Sequence, residues 1–142
     1  MEHFIKTQED LDNLDINISG NIYIIGNIDT ISKRYKNANL VIQDNARVET
    51  IRDKVFINTI KDDVKVDNIQ GNVTVDNIQD YARIHGIKDN ARIETIQGYA
   101  RVGTIKGDAI VSVIKDNVWV DIIQNNARIE TIQGYARVGT IK

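Results

Sequence analysis

From Ile42 onward the chain is written in units of nine residues, each beginning with isoleucine: IQDNARVET, IRDKVFINT, IKDDVKVDN, and so on to a last IQGYARVGT followed by Ile141 and Lys142. The register never slips. Position 1 is always Ile, position 3 is Asp, Gly or Asn, position 5 is Ala or Val, and position 7 is Val or Ile. The segment NARIETIQGYARVGTIK stands at 90–106 and again, unchanged, at 126–142. A fixed short period marks a repeat architecture, in which no single unit buries its own apolar face and stacked units do so together.

Each position has a mechanical meaning. Side chains on a strand alternate between faces, so positions 5 and 7 point one way and positions 6 and 8 the other. Position 6 is most often Arg, Lys or Thr, and position 8 is often acidic, as befits a solvated face. Positions 2–4 (QDN, QGY, KDN) are turn chemistry, because Gly, Asn and Asp accept bends and left-handed backbone. The Ile of position 1 is expected to re-enter the core beyond that corner. The unit is therefore a short strand plus a corner, with three apolar residues inward.

The identical segments lie 36 residues apart, which is four units. A coil of two units divides that offset evenly and a coil of three does not. The expected fold is all-β: a two-sided parallel β-solenoid of about 18 residues per coil with a short N-terminal helical cap. Residues 1–17 are expected to be the cap, with a helix in TQEDLDNL capped by Thr7 and with Asp10 near the reciprocal capping-box position. Residues 18–41 read as degenerate first coils, in which SKRYKNANLVI (32–42) is expected to be one residue short of a clean unit and to hold a bulge or loop. Residues 42–142 are the regular solenoid, and all three segments form one domain. The last repeat is the best consensus and carries no atypical polar cap. It leaves Ile132, Ala136, Val138 and Ile141 on an open coil, an expected interface for a homodimer closed by two-fold symmetry.

Composition narrows the function. The formal charge of -2 at pH 7 does not point to nucleic acid or anionic membrane. The chain has no cysteine, hence no disulfide, thiol nucleophile or cysteine zinc site, and no proline, in keeping with a chain that is nearly all strand ladder. No apolar run approaches a membrane span, and the acidic N-terminus is unlike a secretion signal. A cytoplasmic location is the expectation.

The run DNARIETIQGYARVGTI resembles the parallel β-solenoid repeat proteins, over 42–142 and more loosely over 16–41. It differs from the calcium-binding nonapeptide pattern, whose paired glycines are replaced here by KDN or QGY. It is similar in part to bactofilins, without their glycine-rich turns. It also looks like small proteins carried by phages and mobile elements of AT-rich bacteria, and that resemblance implies a binding or inhibitory role, for example against a host defence complex.

Enzyme activity is not expected. His3 and His85 are the only histidines, and the carboxylates recur at fixed positions of the repeat, as Glu49, Glu94 and Glu130 do, whereas a catalytic pair is singular. No cofactor is implied. Asp44, Asp53, Asp62, Asp80, Asp89 and Asp116 share position 3, where hard cations could be considered, but turn geometry accounts for them and no metal site is assigned. Arg47/Glu49, Arg92/Glu94 and Arg128/Glu130 read as surface ladders. A regular threonine array for ice is interrupted at position 9. The distinctive feature is one side of the coil, where Arg83, Arg101, Trp119 and Arg137 follow Lys65 at position 6, His85 and glycines replace acids at position 8, and Tyr81, Tyr99 and Tyr135 stand at position 4. Aromatic and arginine residues of this kind form protein-binding surfaces. The same residues also read plainly as structural, with tyrosines packing at corners and arginines shielding strands; as a functional surface, a protein partner is expected, with self-assembly as one alternative and nucleic-acid binding, through stacking and phosphate contacts, or nucleic-acid mimicry as another.

Overall fold

The computed structural model describes residues 1–142. Strand β1 (Glu2–Ile5) and a short helix α1 (Gln8–Asp12) precede β2 (Gly20–Ile24), β3 (Asn27–Ile31) and β4 (Ala38–Ile42). The repeats then supply β5 (Arg47–Ile51), β6 (Phe56–Ile60), β7 (Lys65–Ile69), β8 (Thr74–Ile78), β9 (Arg83–Ile87) and β10 (Arg92–Ile96). The last five strands are β11 (Arg101–Ile105), β12 (Ile110–Ile114), β13 (Trp119–Ile123), β14 (Arg128–Ile132) and β15 (Arg137–Ile141). The even-numbered strands, led by β1, form one sheet of 8, and the odd-numbered strands from β3 form a second of 7. All pairings are parallel, and Arg47 lies beside Lys65 and Lys65 beside Arg83, one coil of 18 residues apart. The protein is a parallel β-solenoid of about 8 turns.

A single apolar core runs the length of the coil between the two sheets, with no buried polar or charged residue. The Ile of position 1 is fully buried in most coils, including Ile51, Ile60, Ile78, Ile96 and Ile114. Each such side chain contributes about 1.5–3 kcal/mol of burial. The Ile does not lie beyond a corner, as strict alternation had implied. It ends the strand, and positions 8 and 9 both stand between the inward residues 7 and 1. Position 8 is correspondingly skipped in the ladder, as where Ile93 pairs Val111 and Thr95 pairs Val113. Alternation fails there because the strand kinks to bring both branched residues inward.

The corners are built at position 3. Asp44, Asp53, Asp62, Gly71, Asp80, Asp89, Gly98, Gly107, Asp116, Asn125 and Gly134 all adopt left-handed backbone, with φ between 58° and 70°. Gly, Asn and Asp are the residues that visit this region most readily. The ladder continues round the bend, since the position 4 N–H donates to the position 3 carbonyl of the coil before, as Tyr81 does to Asp62 at 3.0 Å and Tyr99 to Asp80 at 2.8 Å. The Asp side chains add a second set of bonds. Asp62 Oδ2 accepts from the Asp44 N–H at 3.0 Å, Asp80 Oδ2 from Asp62 N–H at 3.2 Å, and Asp116 Oδ2 from Gly98 N–H at 3.1 Å. These carboxylates bond backbone N–H groups of the corner one coil earlier, whereas bonds within their own turn were expected.

At the N-terminus Thr7 caps α1 and accepts from the Asp10 N–H at 3.1 Å. The Asp10 carboxylate reaches one residue past the usual partner of a capping box, to the Lys6 N–H. The segment also holds a strand, for β1 pairs with β2 and extends the first sheet. Ile24 and Ile42 remain one coil apart. The step from Ile24 to Ile31 is shorter than nine residues and the step from Ile31 to Ile42 is longer, not short as expected, so 32–37 forms a loop that folds Tyr35 against the core. No helix is long and apolar enough to cross a membrane.

Candidate functional site

Parallel pairing without slippage turns each repeat position into a column along the coil axis. On the outer face of the odd-numbered sheet, position 6 gives Arg47, Lys65, Arg83, Arg101, Trp119 and Arg137, each paired with the next. Position 6 points outward because positions 5 and 7 are inward, so all six side chains are exposed. Successive members stand about 4.8 Å apart, the spacing of adjacent strands.

Lys65, Arg83, Arg101 and Trp119 line an open groove of about 300 Å³, together with Asp67, His85, Gly103 and Asp121 of position 8. A Cβ at Gly103 would meet the His85 carbonyl oxygen at 2.5 Å, so a larger residue there would force the backbone of the neighbouring strand to shift. The Trp119 ring is held from two directions: its Nε1 donates to Asp121 Oδ1, and the Arg137 guanidinium sits 5.9 Å from the ring centroid, within cation–π range. Trp119 is nonetheless 40% exposed. A large aromatic fixed in orientation and open to solvent loses little freedom when a partner covers it.

The tyrosines divide the expected site. Position 4 lies on the corner that precedes this sheet, and its neighbours are set by the column of position 3. Tyr81 and Tyr99 stack with ring centroids 5.3 Å apart and planes 8° from parallel. They line a separate depression with Asp44, Asp62, Asp63 and Asp80. Tyr135 lines a third with Trp119 and Arg137. The structure therefore brings Arg83, His85, Arg101 and Trp119 together, joins Tyr135 and Arg137 to them at the C-terminal end, and sets Tyr81 and Tyr99 on an adjacent acidic corner. Sequence reasoning left Asp67 and Asp121 out of the groove, although the 18-residue period places both in the same column as His85. It also missed the acidic neighbours of the tyrosines.

Of the residues expected at an interface between copies, Ile132 is 45% and Ile141 71% exposed, and Ala136 and Val138 are half-buried. Strands β14 and β15 each have a neighbour on one side only. The Arg/Glu pairs at Arg47/Glu49, Arg92/Glu94 and Arg128/Glu130 are all solvent-exposed.

The fold and this face define a solenoid that displays columns of chosen side chains on a rigid sheet. Comparison with known protein families, curated proteins and solved structures finds no match.

Proposed function

We propose that this protein is a non-enzymatic docking module that engages a protein partner through the outer face of its odd-numbered sheet. One observation carries the reading: Lys65, Arg83, Arg101 and Trp119 stand in strict register in one groove, with the Trp119 ring fixed and exposed. Arginine and tryptophan are the residues most enriched where interfaces concentrate their energy. A rigid sheet presents them on an already ordered backbone, so the ordering cost on binding is confined to the side chains. Occupying a partner in this way accounts for an inhibitory role of the kind that the resemblance to mobile-element proteins implies.

The test is affinity capture from cell lysate with the native chain, Trp119→Ala and Arg101→Ala, each with and without nuclease. The reading expects a protein retained by the native chain after nuclease treatment and lost from both variants, whose circular dichroism stays native. Equal retention by all three proteins refutes this face as the site. Recovery of nucleic acid alone, with a steep dependence on salt, refutes a protein partner.

A further inference from the structure

Granting the docking face above, we infer that the element it receives is an acidic α-helix lying along the solenoid axis. At position 6 the groove presents three cations and then an aromatic, Lys65, Arg83, Arg101 and Trp119, on consecutive rungs, with the carboxylates of Asp67 and Asp121 at position 8 beside the first and last of them and a net positive charge between. The rungs fall at about 0, 4.8, 9.6 and 14.4 Å. A helix rises about 1.5 Å per residue, so residues i, i+3, i+7 and i+10 fall at about 0, 4.5, 10.5 and 15 Å. They share one face, spread over roughly 80° at about 100° per residue. Each lies within about 1 Å of a rung along the axis. Acids at three of these positions meet Lys65, Arg83 and Arg101, and an apolar side chain at the fourth covers Trp119.

Other polymers lose this register. Alternate residues of an extended strand are about 6.6 Å apart and overshoot by nearly 2 Å per rung. Phosphates of a stacked nucleic-acid strand advance about 3.4 Å and fall short by more than 1 Å per rung. Gly103 lines the middle of the groove without a side chain, so a helix meets no side chain of that rung at position 8. The helix received belongs to a partner: the one helix within residues 1–142, Gln8–Asp12, is 5 residues long and buries its Leu11 against the core.

The test measures fluorescence anisotropy of labelled alanine-based peptides of about 20 residues, long enough to populate helix. One carries Glu at i, i+3 and i+7 with Leu at i+10. A second carries that order reversed. A control of equal composition places the same side chains at i, i+2, i+4 and i+6. At least one helical peptide should bind tenfold or more tighter than the control, and Arg101→Glu or Trp119→Ala should abolish the difference. Equal affinity of all peptides overturns the helical register and leaves only charge attraction. If a captured protein depends on Arg101 and Trp119 yet no peptide competes with it, the helix is refuted and the docking face stands. If the captured protein depends on neither residue, both inferences fail.

Discussion

Asp62 sits at the centre of the corner ladder, and replacing it separates the two jobs of position 3. Its φ of 58° is left-handed, its carboxylate accepts from Asp44 N–H at 3.0 Å, and its own N–H donates to Asp80. Left-handed backbone costs an ordinary residue about 1–2 kcal/mol, part of which Asp already avoids through its local bonding. The lost hydrogen bond contributes about 0.5–1.5 kcal/mol, at the lower end here because Asp44 is exposed. Asp62→Ala loses both contributions and should cost about 1–2.5 kcal/mol. Asp62→Gly restores the backbone preference and loses only the bond, for about 0.5–1 kcal/mol. Asp62→Asn keeps an acceptor and the left-handed tolerance and relieves repulsion along the Asp44–Asp62–Asp80 column, so it should stay within about 0.5 kcal/mol of the native chain. Urea denaturation followed by far-ultraviolet circular dichroism reads all three. If glycine is no better than alanine, backbone conformation is not what position 3 selects. If alanine matches the native chain, neither contribution is real.

Three further outcomes follow from the core, the glycine in the groove and the 32–37 loop. Ile96→Ala removes a fully buried side chain and should cost about 2–5 kcal/mol in the same assay. Gly103→Ala forces the His85 carbonyl aside and should cost about 1–3 kcal/mol, visible as a lowered melting temperature. Burial, with the charge of Asp12 as a smaller cause, raises the Tyr35 hydroxyl above its usual value of 10.0. The folded state thus favours the neutral phenol. Its contribution is intact below about pH 10 and is lost as pH rises toward the folded value. Stability should fall on alkaline titration in that window, and Tyr35→Phe should remove that part of the fall.

The architecture was legible because every coil obeys the same rule. An invariant Ile at each ninth position and a segment repeated after four units left one coil length that fits. Other features came from interactions along the axis, which a unit read by itself does not contain. Position 9 is Thr, Asn, Gly, Val or Ile, so nothing in its polarity announced the kink that turns both positions 8 and 9 outward. Tyr81 and Arg83 stand two residues apart and read as one face, yet the corner between them gives each a different column of neighbours. The acids beside Tyr81 and Tyr99 come from Asp44 and Asp62, whole coils earlier in the chain. Strand β1 was missed because EHFI carries no trace of the repeat; it is a strand because β2 offers it an edge to pair with.

The central claim is that one face of this two-faced solenoid does the docking. It is tested by placing a photo-reactive residue at Asp67, on the rim of the groove, or at Glu94, the exposed position 8 of the opposite sheet, and irradiating the chain with its captured partner. The account predicts a covalent adduct from position 67 and none from 94. An adduct from 94 with none from 67 would contradict it and move the functional surface to the other sheet.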